Sequence, residues 1–109
     1  MSSEVILLLS NFPDAATARA AVRTLVEEHL IACGNIIPGV ESIYEWKGAL
    51  ETGAEVMVVC KATVDSASAA QTRLRALHPY EVPEILQVAV GGGWPDYLTW
   101  VAAQCVRPR

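Results

Sequence analysis

The stretch GNIIPGVESIYEWKGALETGAEVMVVCKA, residues 34–62, decides how this chain folds. Beyond Pro38-Gly39, Val40, Ser42, Tyr44 and Trp46 fall on one side of an extended chain and Glu41, Ile43 and Glu45 on the other, because successive side chains of a strand point to opposite faces. Proline and glycine inside such a pattern mark an edge, a bend or a bulge. Gly48 and Gly53 then supply a reversal, and EVMVVCKA (55–62) returns as an apolar run of strand length. The two segments are expected to pair as an antiparallel hairpin.

Working outward, VILLL (5–9) is a continuous apolar run that suits a central strand covered on both faces. Asp14 is a natural N-cap for the helix that follows. In that helix Ala18, Val22, Leu25, Val26 and His29 recur at three- and four-residue spacing, with His29 on the edge of the apolar stripe as a packing residue. Downstream, Asp65 or Ser66 caps a second helix with the stripe Ala67, Ala70, Leu74 and Leu77, which Pro79 stops. PEILQVAV (83–90) reads as a fourth strand, begun by Pro83 where a missing ladder donor costs least. After three glycines, WPDYLTWVAAQC (94–105) reads as a third helix, with Trp94, Tyr97, Leu98 and Val101 on one face.

The order strand, helix, strand, strand, helix, strand is that of an α+β, ferredoxin-like βαββαβ sandwich with an extra C-terminal helix. In that arrangement both long helices cover one face of an antiparallel sheet. No repeat or linker divides the chain, so one domain is expected over 1–109. The runs 5–9 and 56–60 are apolar at every position, however, and the face away from the helices would be bare in a monomer. A homo-oligomer is the economical cover.

The totals agree. Apolar residues make up 52% of the 109 and charged residues 18%, against usual shares of about 45–50% and about 25%. The net charge of -4 comes with no basic run, which argues against nucleic acid as a partner. The N-terminal residues lack the pattern of a signal peptide, and no apolar run approaches the ~20 residues of a membrane span. A cytoplasmic protein is expected, with Cys33, Cys60 and Cys105 reduced, since no C-x-x-C pair is present. Cys33 and Cys60 sit in apolar blocks and read as packing residues.

No nucleophile elbow or phosphate-binding glycine loop is present, and an enzyme is not the leading expectation. The polar residues that stand out are Glu55, Lys61, His78, Tyr80, Glu81 and Glu84, with Trp46 as a wall. Glu55 and Lys61 bracket an apolar strand. In LHPYEVPEI (77–85) two prolines fix φ and push His78 and Val82 toward extended backbone, so that His78, Tyr80 and Glu84 are held with little freedom. Preorganised polar groups are what a binding site requires. Histidine with carboxylates, here His78 with Glu81 or Glu84, would suit a divalent ion of the copper or zinc class, bound weakly. An enzyme would use Glu84 or His78 as general base and Lys61 as anion support.

The blocks LIACGNIIPGVESIYEWKGALE (30–51), Glu55 with VVCKA (58–62), LHPYEVPEI (77–85) and YLTW (97–100) resemble, in order and spacing, those of the CutA divalent-cation tolerance proteins. The resemblance spans about 5–103 and implies a ferredoxin-like subunit in a tight homotrimer, cytoplasmic and without established enzymatic activity, linked to tolerance of divalent metals, copper above all. It places Trp46, Glu55, Lys61, His78, Tyr80 and Glu84 in inter-subunit clefts. One departure concerns metal. Family members with a proposed copper site carry a cysteine at the end of the first strand and two histidines before Pro-Tyr, whereas this chain has Ser10 and Leu77-His78. Ser10 is a hard neutral donor and Leu77 is none, so a soft copper site of that composition does not form. A PII-like signalling trimer that binds a small anionic ligand near Lys61 is the alternative, on architecture alone.

Overall fold

The computed structural model describes residues 4–105, so the extreme ends of the single domain expected over 1–109 lie outside the described residues. The elements run β1 (Val5–Phe12), α1 (Ala15–Glu27), β2 (Cys33–Trp46), β3 (Ala49–Thr63), α2 (Val64–Leu77), β4 (Leu86–Ala89) and α3 (Pro95–Gln104). The strands form one sheet in the order β2-β3-β1-β4 with every neighbouring pair antiparallel. This is the expected ferredoxin-like arrangement, and VILLL lies in the central strand β1.

Strand alternation sorts the core. Ile6, Leu8, Ser10 and Phe12 of β1 pair with Ala62, Cys60, Val58 and Val56 of β3, and all eight are buried. That face carries the long helices, since Gly34, opposite Cys60, lies directly under Val22 of α1. Ala18, Ala21 and Leu25 of α1 and Ala67, Ala70 and Leu74 of α2 complete the layer. Each large side chain fully buried there contributes about 1.5–3 kcal/mol. Asp14 caps α1 as expected, its carboxylate accepting the Thr17 amide at 2.7 Å.

The opposite face is far less covered. Leu7, Leu9, Met57 and Val59 are half-buried, and Ile37, Leu86 and Val88 are exposed. β1 pairs with β3 only from Val56 onward, so the β2–β3 hairpin continues alone beyond the sheet as an arm. Its seven paired positions from Val40 opposite Glu55 to Trp46 opposite Ala49 reach roughly 20 Å. Ile43 and Leu50 on the arm are 66% and 77% exposed. Lys47 and Gly48 close it with φ of 53° and 82°, the two-residue turn whose twist suits a hairpin.

Several local expectations are corrected. The reversal uses Gly48 alone, and Gly53 lies within β3. The cap of α2 is Thr63, reciprocally bonded with Ser66 in a capping box, rather than Asp65 or Ser66; the strand runs straight into the helix and leaves its last residue to cap it. His29 lies past the end of α1 at φ 60°, exposed, its Nδ1 3.3 Å from the Gln104 carbonyl. The fourth strand is only four residues long. In α3, Val101 is buried and Leu98 packs on the core, while Trp94, Tyr97 and Trp100 are exposed. No helix among the described residues is long and apolar enough to cross a membrane.

Candidate functional site

The connector between α2 and β4 is built around His78. α2 ends at Leu77, because Pro79 cannot continue it, and His78 takes extended backbone at ψ 134°. Its imidazole turns inward, 6% exposed, and stacks on Phe12 with ring centres 4.2 Å apart. Both ring nitrogens are engaged: the Tyr80 amide donates to Nδ1 at 3.2 Å, and Nε2 lies 2.8 Å from the Asn11 carbonyl. An acceptor at Nδ1 fixes the neutral tautomer with the proton on Nε2, which donates to Asn11. Burial pushes the imidazole below its ordinary value of 6.5, against the Asn11 bond; Arg75 adds to the fall and Glu55 opposes it.

His78 thus pins Tyr80 against the sheet. The Tyr80 hydroxyl donates to Glu55 Oε2 at 2.8 Å, and burial together with that bond raises its pKa. Farther on, Asn11 Nδ2 donates to Glu84 Oε1 at 3.3 Å. The connector is tied to β1 and β3 at three points, and between it and the base of the arm lies an open cavity of about 440 Å³. Its aromatic walls are Tyr44, Trp46 and Tyr80, and its carboxylates are Glu55, Glu81 and Glu84. Asn11 and Val82 complete the lining.

A bulge sets this composition. Ile37 pairs with Met57 but Val40 pairs with Glu55, so β2 carries one extra residue at Pro38-Gly39, with Gly39 at φ 81°. Strict alternation would have put Ile43 and Glu45 on the cleft face. The extra residue exchanges the faces and brings Tyr44 and Trp46 there instead.

Of the residues singled out in the sequence, Trp46, Glu55, Tyr80 and Glu84 meet in the cavity, as does Glu81. His78 supports it from below and is not part of its wall. Lys61 is elsewhere: it stands six positions past Glu55 on β3, roughly 20 Å along the strand, beside Leu7 and Cys33, and its ammonium bonds to Asn35. A catalytic pairing of Glu84 or His78 with Lys61, or an anion site on Lys61 in this cleft, is not assembled within one chain. Asn11, Tyr44 and Val82 were missed. Tyr44 could have been found, since it shares the alternation of Trp46.

The donors do not fit a chelated soft ion. His78 has no free nitrogen, Leu77 offers no donor, and Ser10 is fully buried on the helix face. Among the described residues no three His, Cys, Asp or Glu side chains are grouped to hold one metal ion. Burial pushes the Cys60 thiol up to about 12, as suits a packing residue.

Comparison with known proteins agrees with the fold and the blocks. The profile of the CutA1 divalent ion tolerance protein family matches residues 6–104. The divalent-cation tolerance protein CutA of Pectobacterium atrosepticum is 39% identical over 100 residues, covering 92% of this chain and 91% of that protein. That of Thermus thermophilus is 40% identical over 98 residues, covering 90% and 93%. The crystal structure of CutA from Xylella fastidiosa superposes with a TM-score of 0.92 at 42% identity, over 94% of this chain and 99% of that one. With the sheet order, the arm and the stiff connector in place, the chain belongs to the CutA1 divalent ion tolerance family.

Proposed function

We propose that the chain works in divalent-cation tolerance as a non-enzymatic, cytoplasmic homotrimer that binds a ligand in the cleft at the base of its arm. The observation that carries this reading is the arm itself. A two-stranded ribbon is marginal on its own in water, yet this one projects past the sheet with Ile43 and Leu50 bare. It stands beside a sheet face whose Leu7, Leu9, Met57 and Val59 need cover. Other copies of the chain supply both: the arm lies along a neighbour's open face, and the cleft at its base comes to the subunit boundary. Free Cys33, Cys60 and Cys105 accord with a reducing compartment. Because the donors do not fit a chelated ion, tolerance works through the cleft and its occupant, with no step through a resident metal.

Light scattering tests the assembly. The expected mass is about three times the 11.7 kDa of one chain. Replacing Ile43 and Leu50 with lysine lowers it, since burying unpaired charge in an interface is costly. A monomer mass at micromolar concentration overturns the reading.

A further inference from the structure

We infer that the cleft is selective for a small organic cation with N–H donors, an alkylammonium or guanidinium, rather than for an anion or a bare metal ion. The inference rests on the cleft being the binding site, and it assigns the chemical class of the ligand.

The charge of the wall comes first. Glu55, Glu81 and Glu84 face the cavity, and among the described residues no lysine, arginine or histidine side chain lines it. Internal bonds use only part of their capacity: Tyr80 takes one oxygen of Glu55 and Asn11 takes one of Glu84. An ionised carboxylate can accept about four hydrogen bonds, so acceptors remain in excess. Asn11 offers no donor in compensation, since its amide turns Nδ2 toward Glu84, which can only accept when ionised, and its Oδ1 is buried without a partner among the described residues. Among the described residues, charged donors are what the cavity lacks.

The shape and walls come second. Three aromatic side chains and three carboxylates lining one cavity are the residue types that hold organic cations, because ring faces attract positive charge. The chain shows this attraction at Trp46, where Lys47 Nζ stands 5.7 Å from the ring centre. A volume of about 440 Å³ falls in the range of small-molecule sites, far more than one ion fills. A metal ion would instead need converging ligands, and no such group exists among the described residues. Arg75, on the last turn of α2, donates to the Glu81 backbone carbonyl.

Isothermal titration of the full chain at low ionic strength tests this, with 1,4-diaminobutane, tetramethylammonium, benzoate and Zn²⁺ as probes. The diamine is expected to bind once per chain, and tetramethylammonium, which cannot donate, more weakly. Glu55→Gln and Glu84→Gln keep the acceptor for Tyr80 and Asn11 but remove the charge, and each should weaken the diamine about tenfold, the scale of one charged hydrogen bond. Diamine binding unchanged in both variants would mean diffuse surface attraction and overturns the inference. So would tighter binding of benzoate, or tighter Zn²⁺ binding that the same variants abolish. Because every wall comes from one chain, a monomer mass would sink the trimer while leaving the titration informative; a trimer that ignores the diamine would sink the inference alone.

Discussion

Replacing His78 with phenylalanine should cost about 2–4 kcal/mol of folding stability. Phenylalanine keeps the ring stacked on Phe12 and nearly the same volume, but removes the Nε2–H bond to the Asn11 carbonyl at 2.8 Å and the Tyr80 amide bond to Nδ1 at 3.2 Å. Each bond contributes about 0.5–1.5 kcal/mol net, and each buried group left unpaired costs about 1–3 kcal/mol. His78 is only 6% exposed, so water cannot easily replace the lost partners. Acid supplies an independent check. The folded imidazole titrates below its ordinary value of 6.5, so the unfolded chain binds the proton first. The contribution of neutral His78 is therefore fully present above pH 6.5 and is lost as pH falls through the folded value, with a slope of at most about 1.4 kcal/mol per pH unit. Urea unfolding of both proteins at pH 7.5 and 5.5, at one fixed protomer concentration, should show a deficit for His78→Phe that shrinks at the lower pH. A deficit below about 1 kcal/mol at pH 7.5, or the same deficit at both values, would falsify the account of His78 as the neutral pin of the connector.

Other predictions address the packing around this frame. A Cβ on Gly34 would stand 2.5 Å from Val22 Cγ1, so Gly34→Ala should cost about 1–3 kcal/mol by overpacking. In a Val22→Ala background at least about 1 kcal/mol of that should return, and strict additivity in the double-mutant cycle would contradict the contact. Ser10 Oγ is buried without a partner among the described residues, so Ser10→Ala should be neutral or stabilising by up to about 1 kcal/mol; a marked fall in the denaturant midpoint would reveal a bond to Oγ. Tyr80→Phe removes the donor to Glu55 and should cost about 1.5–3 kcal/mol. An unchanged thermal midpoint would show that the hydroxyl bond carries no net stability.

Much of the fold was open to sequence reasoning because its signals are local. Continuous apolar runs marked β1 and β3, three- and four-residue spacing marked α1 and α2, and Pro79 marked the end of α2. The misses have physical causes too. His29 shares the spacing of the apolar stripe, but the helix stops at Glu27 and the chain turns left-handed. Spacing put Trp94 and Tyr97 on one face with Leu98 and Val101, yet the seated residues are Leu98, Val101 and Cys105, spaced by three and four, and the two rings are exposed. Pro83 and Glu84 look like strand, but Glu84 is held by the Asn11 side chain and the ladder with β1 begins at Leu86.

By itself the sequence determined the order of the elements, the hairpin and the stiffness of 77–85, since spacing and the fixed φ of proline act over a few residues. Only the tertiary structure decided which polar groups meet. Glu55 and Lys61 are close in the chain but stand at opposite ends of a long extended segment, whereas Asn11 and Glu84 are 73 residues apart and in contact. One extra residue at Pro38-Gly39 turns Tyr44 and Trp46 toward the cleft, and a stack on Phe12 turns His78 away from it. Those outcomes depend on register and on which chain crosses which, quantities that no local pattern contains.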